Sequence, residues 1–223
     1  MNANHARRIS APLNVSNKDQ LFAADERRDR ALCGCSLAEP GTTRFAKQGA
    51  HDPTPTPYFI LESLFSDLDF SEESHLLDVG CGTGRVLSFF IQSELAGRAT
   101  GIELDPDIAE YARSWARRFA NVDVLCGSAL ETSLAPYTHL YLFNPFDTNV
   151  LMQFIMKIED EVQRPITLVH MSDNGETYSY IGRTGWSLVR QGEFREYRTT
   201  TGRAVTVYAH PQHFSIWKYD PES

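Results

Sequence analysis

The most constraining feature of this chain is the stretch LLDVGCGTGRV, which covers residues 76–86. An apolar segment ends in an acid at Asp78, and glycines follow at positions 80, 82 and 84. Glycines at the end of a buried strand allow a tight turn into a helix, and the helix N-terminus favours a negatively charged group. The stretch therefore predicts a strand, a ligand-binding loop and a helix.

The spacing of these glycines differs from the dinucleotide-binding fingerprint, which is G-x-G-x-x-G. When the chain is aligned on Gly80 and Gly82, the third position holds Arg85, and Gly84 comes one residue early. A carboxylate suits the resulting open turn as well as a phosphate does. Asp78 has two interpretations: it accepts hydrogen bonds from a ligand's amino group, or it orients the loop.

Strands and helical patterns alternate over the middle of the chain. Strand-like apolar runs occupy residues 75–80, 98–103, 122–126, 138–143 and 166–171. One of the helical patterns between them begins with Asp105 as a cap and Pro106 at its first position. This alternation predicts an α/β fold with three layers, in which helices cover both faces of a doubly wound, mostly parallel sheet.

The end of the chain departs from this alternation. Residues 186–198 and 204–210 are both strand-like, and only the short TTTGR turn joins them. They are therefore predicted to form an antiparallel C-terminal hairpin.

The same patterns suggest the domain organisation. Residues 1–50 are interpreted as an irregular N-terminal extension that covers a ligand or contacts a substrate, with a candidate helix at 18–32. Residues 51–217 are interpreted as the α/β domain, and 218–223 as a C-terminal tail. The run from Phe45 to Phe59 contains alternating proline and threonine, which favours an extended backbone. This run either covers the ligand as a lid or packs as a loop against the sheet edge.

Charge and cysteine content bound the partners and the compartment. The formal net charge of -8 argues against nucleic acid and membrane as partners, because both attract basic surfaces. Four cysteines in 223 residues do not form a disulfide framework, and no histidine, cysteine or acid has metal-ligand spacing. We therefore expect a cytoplasmic protein without a metal site.

The sequence separation between the glycines and a second acid indicates a role for that acid. Glu103 ends the second predicted strand, 23 residues after Gly80. In folds of this kind an acid about 20 residues after the glycine turn binds ribose hydroxyls. The alternative is a solvated charge at the end of a strand.

Three motifs together resemble those of the class I S-adenosylmethionine-dependent methyltransferases. They are LLDVGCGTGRV, GIELDP at residues 101–106 and VLCGSA at residues 124–129. The resemblance covers about residues 57–211, including the antiparallel end of the sheet. It implies a transferase with a Rossmann-like fold that takes S-adenosylmethionine as cofactor and releases S-adenosylhomocysteine.

The resemblance also implies which residues hold the cofactor. The loop of Gly80, Cys81 and Gly82 is expected against the methionine part, and Glu103 against the ribose. At the adenine amino group the family often has an acid, and Ser128 stands at that place here. The full set of expected cofactor-binding residues is Asp78, Gly80, Cys81, Gly82, Gly84, Glu103, Leu104, Ser128, Ala129 and Asn144.

The fourth predicted strand is followed by Asn144-Pro145-Phe146. This sequence resembles the Asn-Pro-Pro-Tyr or Asn-Pro-Pro-Phe motif of family members that methylate amino groups, with one proline missing. The resemblance implies that Asn144 aims an amine of a protein or small metabolite at the methyl group. The alternative is that Asn-Pro only makes the turn after the strand.

Three questions about the reaction stay open at this stage. His170 and Asp147 are the candidate bases for an acceptor that arrives protonated. O- or C-methylation of a small metabolite is the alternative to N-methylation. A non-catalytic cofactor-binding or regulatory protein with the same fold is a further alternative.

Overall fold

A computed structural model describes residues 13–38 and 42–223. The helices are α1 (Lys18–Cys33), α2 (Tyr58–Phe65), α3 (Arg85–Gln92), α4 (Pro106–Ala116) and α5 (Thr148–Glu161), with short 3-10 helices at Ala46–Gln48 and Gly175–Tyr178. The strands are β1 (His75–Val79), β2 (Arg98–Glu103), β3 (Val122–Cys126), β4 (His139–Phe143), β5 (Ile166–Ser172), β6 (Trp186–Phe194), β7 (Glu196–Arg198), β8 (Ala204–Thr206) and β9 (Gln212–Tyr219). None of the helices in the described ranges combines the length and apolarity of a membrane span.

The central sheet has seven strands in the order β3-β2-β1-β4-β5-β9-β6. Strands β1 to β5 are parallel to one another, and they lie where the apolar runs predicted them. The chain runs outward from β1 to β3 and then returns to place β4 on the other side of β1. This reversal opens a crevice beyond the carboxyl ends of β1 and β4, which is where ligands bind in open α/β sheets.

Alternate residues of each strand face two separate apolar layers. Leu76 of β1 packs with α2, α3 and α4 on one face of the sheet. Leu77 packs with α5 on the other face. The predicted three-layer, doubly wound fold is therefore confirmed.

The antiparallel end of the sheet is confirmed, but its strands differ from the prediction. Strand β9 lies between β5 and β6 and runs antiparallel to both. The predicted hairpin forms only next to its turn, where β7 pairs with β8 in a separate two-stranded ribbon, while β6 pairs with β9. β9 takes this central place because it has apolar side chains on both faces of the sheet. Phe214 and Ile216 are buried on one face, and Trp217 and Tyr219 are buried on the other.

The candidate helix within the N-terminal extension is present as α1. The side chain of Asn17 caps α1 by accepting from the N–H of Gln20, and Gly34 ends the helix in a left-handed conformation. The buried carboxylate of Asp29 forms an ion pair with Arg85 of α3 at 2.6 Å. Residues 1–12 and 39–41 of the predicted extension lie outside the described residues.

Gly84 has a role in helix packing. It precedes α3 with a φ of +90°, and a Cβ placed there would lie 2.8 Å from Cζ2 of Trp115 in α4. The indole N–H of Trp115 donates to the carbonyl oxygen of Thr83 at 3.0 Å. Only a glycine lets α4 approach the start of α3 this closely.

We predict that Gly84→Ala destabilises the protein more than Gly202→Ala does. Both glycines have a left-handed backbone, which costs another residue about 1 to 2 kcal/mol, but open space surrounds Gly202. The clash with Trp115 should add about 1 to 3 kcal/mol in Gly84→Ala alone. Urea unfolding of both variants measures the difference, and equal losses would contradict the packing role.

Candidate active site

A cavity of about 300 Å³ lies beyond the carboxyl ends of the parallel strands. Its lining comes from the glycine loop, the ends of β2 and β4, residues 127–131 and the segment 48–56. The cavity coincides with the reversal of strand order between β1 and β4. Most of the predicted site residues therefore meet here, although their sequence positions span more than 60 residues.

The glycine loop is held in shape by its own hydrogen bonds. The N–H groups of Gly80 and Cys81 both donate to the carbonyl oxygen of Ile102, at 2.9 and 3.0 Å. The N–H of Gly82 donates to Oε2 of Glu103 at 2.9 Å. These three N–H groups are engaged within the protein, so the loop offers a ligand its surface rather than a row of free donors.

The first two glycines permit close approach of neighbouring segments. A Cβ on Gly80 would lie 2.6 Å from Cβ of Pro145, and one on Gly82 would lie 3.1 Å from Cβ of Pro53. Both glycines line the cavity, whereas Gly84 does not. Gly84 was predicted to contact the cofactor. Its position does not favour that contact, because it faces Trp115 and lies outside the cavity lining.

Cys81 contributes to the cavity while its thiol is directed toward the sheet. The residue is buried, and a Cβ on Gly101 of β2 would lie 2.6 Å from its Sγ. Burial, followed by the nearby carboxyls of Asp78 and Glu103, raises the pKa of this thiol well above its usual value. The thiol is therefore protonated and unreactive at neutral pH.

Asp78 presents an uncompensated carboxyl to the cavity. It is 2% exposed, and its Oδ2 has no hydrogen-bond partner among the described residues. Burial, and then the charge of Glu103, raises the pKa of this carboxyl well above its usual value. A buried acceptor without a partner is costly, so this position favours a ligand with a positive charge or N–H donors.

Glu103 joins the glycine loop to the start of α4. Its Oε2 accepts from Gly82, and its Oε1 accepts from the N–H of Asp105 at 2.9 Å. Burial raises the pKa of this carboxyl, and these backbone donors partly oppose the rise. A carboxylate has about four acceptor sites, so Glu103 keeps capacity for ligand hydroxyls.

The far end of the cavity is formed by Leu104 and residues 127–131. Oγ of Ser128 accepts from the N–H of Leu130 at 3.2 Å, which closes the turn after β3. Ala129 lines the cavity beside it, and so does Glu131, an acid that the sequence analysis did not single out. Glu131 follows Ser128, the position where an acid was expected, by three residues, and this spacing could have identified it from the sequence.

Asn144 has an unusual backbone and an unpartnered side-chain oxygen. Its φ is +45°, a left-handed conformation that asparagine tolerates better than most residues. Its N–H donates to Met171, and its Nδ2 donates to Asp173 at 3.3 Å. Its Oδ1 is buried at the cavity and lacks a hydrogen-bond partner within the described ranges.

The structure does not support His170 or Asp147 as the base. His170 is 1% exposed, lies on the α5 side of β5 and has its Nδ1 3.0 Å from the hydroxyl of Tyr180. Burial lowers the pKa of His170 to about 3, so it stays neutral. Asp147 caps α5 through a hydrogen bond from Val150, and neither residue lines the cavity. The prediction of His170 as a catalytic residue is therefore corrected.

We call residues 43–57 the strap, because this segment crosses the cavity and is fixed at three places. Arg44 forms an ion pair with Asp105 at the start of α4, at 2.8 Å. Ala50 forms a β-bridge with Phe146 after β4. At the inner end, Oγ1 of Thr56 lies 2.8 Å from the hydroxyl of Tyr141. Of the two interpretations of this run, its position over the cavity favours the lid.

Comparison with known proteins identifies a sequence family and a curated relative. The model of a methyltransferase domain family matches residues 76–164. Malonyl-[acyl-carrier protein] O-methyltransferase of Acetivibrio thermocellus is 35% identical over 80 residues, which are 35% of this chain and 27% of that protein. The chain thus spans about a quarter of the length of this curated relative.

Solved methyltransferase structures share the fold. An RNA methyltransferase from Salinibacter ruber, in complex with S-adenosyl-L-homocysteine, matches with a TM-score of 0.55 and 20% identity over 77% of this chain and 95% of that one. An rRNA methylase from Streptococcus thermophilus matches with a TM-score of 0.53 and 11% identity over 74% of this chain and 96% of that one.

These matches correct the argument from net charge. Nucleic acid was predicted not to be a partner because the chain is acidic, and that prediction is wrong, since several proteins with this fold are named RNA or rRNA methyltransferases. The physical reason is that a nucleic acid meets the local potential around a site. The charge summed over the whole chain does not describe that surface.

Asp78→Asn should raise the stability of the ligand-free protein. A carboxyl whose pKa is higher in the folded chain binds more protons when folded, so its contribution to stability falls as pH rises above its unfolded pKa of about 4. The variant should therefore unfold at a higher temperature than the wild type at about pH 8, with a smaller difference at about pH 5. Thermal scans at both pH values test this, and a variant less stable at the higher pH would contradict it.

Proposed function

This chain contains a class I, S-adenosylmethionine-dependent methyltransferase domain, and we propose that it transfers the methyl group to a nitrogen atom. The site residues fit this cofactor. The unpartnered carboxyl of Asp78 suits the ammonium of its methionine part, and the remaining capacity of Glu103 suits its ribose hydroxyls. Glu131 replaces the missing acid at the adenine end.

The observation that carries the proposal is the unpartnered Oδ1 of Asn144. An amide oxygen only accepts hydrogen bonds, so it recognises an acceptor that brings an N–H or O–H group. Because the backbone is left-handed and Nδ2 is bound to Asp173, the amide is fixed with its oxygen toward the cavity. A nitrogen held there by its hydrogen keeps its lone pair free for the methyl group.

When bound, S-adenosylmethionine supplies a methyl group on a positively charged sulfur, with a neutral thioether as leaving group. The protein therefore has to position the nucleophile in line and exclude water. Phe143 and Phe146 line the cavity beside Asn144, which gives a flat acceptor an apolar surface. The strap crosses the same end of the cavity.

O-methylation is the second candidate function. The relative from Acetivibrio thermocellus is named an O-methyltransferase, and its similarity covers 80 residues of this chain. A hydroxyl or carboxylic acid also brings an O–H group to Asn144. The position of the new methyl group distinguishes this candidate from N-methylation.

A screen with methyl-tritiated S-adenosylmethionine tests the proposal. Total cellular RNA, casein and a mixture of small primary amines serve as acceptor fractions, and small carboxylic acids test O-methylation. We expect incorporation that survives mild base, which excludes methyl esters, and mass spectrometry of the product should place the methyl group on nitrogen rather than on a hydroxyl oxygen. Base-labile incorporation alone would replace the proposal with the second candidate.

Glu103→Gln should weaken binding of S-adenosylhomocysteine by about ten- to a hundredfold, because hydrogen bonds to a charged group contribute about 1.5 to 3 kcal/mol. Glutamine keeps the shape and one acceptor oxygen, but its amide nitrogen cannot accept from the second backbone N–H, so part of the loss comes from the glycine loop or the turn before α4. Glu72→Gln is the matched control, since Glu72 is exposed and lies outside the cavity lining. Calorimetric titration measures both, and equal affinities in the two variants would reject the role of Glu103.

Asn144→Ala should lower kcat by about a hundredfold, the size of effect expected when an acceptor is misplaced by about 1 Å. The dissociation constant of S-adenosylhomocysteine should change much less. Asn149→Ala, at an exposed position of α5, is the control. Equal losses of turnover and cofactor affinity would mean that Asn144 only builds the cofactor pocket.

A further inference from the structure

The strap brings to the cavity a titratable side chain that the sequence analysis did not single out. His51 is among the residues that line the cavity. Its Nδ1 lies 3.0 Å from the backbone carbonyl oxygen of Asn144. Its own N–H donates to the carbonyl oxygen of Pro145 at 3.1 Å. The ring and the backbone of one residue are thus both fixed to the Asn-Pro motif.

Neighbouring backbone contacts set the register of this attachment. Ala50 is bridged to Phe146, and the N–H of Asp147 donates to the carbonyl oxygen of Gly49 at 2.7 Å. A Cβ on Gly49 would lie 2.8 Å from Oδ2 of Asp147, so the close approach requires glycine. The strap and the residues after β4 therefore form a short antiparallel pair that carries the imidazole to a defined place.

The hydrogen bond to Asn144 also determines the tautomer of the ring. A carbonyl oxygen only accepts, so Nδ1 of His51 must carry the hydrogen. In the neutral imidazole, Nε2 then has a free lone pair. No described residue donates a hydrogen bond to Nε2, and the exposed side chain is reachable from solvent.

We propose that His51 is the general base of the methyl transfer, an inference that rests on the proposed function. Nε2 of His51 takes the proton from the acceptor nitrogen, which Oδ1 of Asn144 holds by a second hydrogen. The nitrogen lone pair forms the new bond to the methyl carbon. The carbon–sulfur bond breaks with its electron pair remaining on sulfur, and the proton stays on the imidazolium until solvent removes it.

Three acids belong to the segments that meet at His51. Asp52 follows His51 in the chain, and its Oδ1 accepts from the N–H of Thr43. Asp173 accepts from Nδ2 of Asn144, and Asp147 accepts from the N–H of Val150 at the N-terminus of α5. Each of these carboxylates therefore has a hydrogen-bond donor other than the His51 ring.

Nitrogen-15 NMR of the full chain tests the tautomer without an acceptor. The spectrum of His51→Asn identifies the ring signals of His51 by their loss. In the neutral ring we expect a protonated Nδ1 and an unprotonated Nε2, because the carbonyl oxygen of Asn144 only accepts. A neutral ring with its hydrogen on Nε2 would overturn the proposal.

Methyl transfer by His51→Asn tests the base itself. The asparagine amide nitrogen takes the place of Nδ1 and keeps a donor for the carbonyl of Asn144, while the base is removed. With the acceptor fraction that the wild type methylates, kcat should fall by about a hundredfold or more. Affinity for S-adenosylhomocysteine should stay within about twofold, because the strap remains attached.

The pH profile and a control separate this role from a structural one. Wild-type turnover should require a deprotonated base and decline toward acidic pH, and His51→Asn should lack this decline. His210→Asn, at an exposed histidine outside the cavity lining, should behave as wild type. An active wild type with an equally active His51→Asn would overturn the base alone, whereas an inactive wild type would contradict the proposed function.

Discussion

The carboxylate of Glu103 is the interaction on which the rest of the site depends. It accepts from Gly82 on one side and from Asp105 on the other. These two hydrogen bonds join the loop after β1 to the turn after β2. The floor of the cavity therefore has a fixed shape before any ligand enters, and the carboxyls of Glu103 and Asp78 supply its charge.

The strap extends this fixed floor into a covered site. Arg44 attaches it to Asp105 at the start of α4, and His51 attaches it to Asn144 after β4. A second connection runs from α1 through the buried ion pair of Asp29 with Arg85, which lines the same cavity. Segments that precede the α/β core in sequence thus complete the lining of the cavity.

Local pattern was enough to predict the core but not its antiparallel end. β2 begins and ends where its apolar run does, because a parallel strand buried on both faces leaves an uninterrupted signal. β9 was missed because its polar residues interrupt the apolar pattern and its pairing partners are distant in sequence. The short turn favoured pairing of residues 186–198 with 204–210, and these segments form only the short ribbon of β7 and β8.

In the site, too, local motifs predicted some residues, while contacts between segments distant in sequence were needed for others. The glycine loop, Glu103 and Asn144 were identified because each follows its own strand in a recognisable motif. His170 also follows that rule, yet the side of the sheet to which it points excludes it from the cavity. His51 has no motif of its own, and only its hydrogen bond to Asn144, 93 residues away in the chain, indicates a role.

The central claim is that this cavity binds the methyl donor of the class I fold. The most direct test is calorimetric titration of the wild-type chain with S-adenosylhomocysteine, with NAD as the competing ligand of the related fold. The account predicts one site with a dissociation constant on the order of micromolar for the former and no measurable heat for NAD. Binding of NAD, or a folded protein that binds neither ligand, would contradict it.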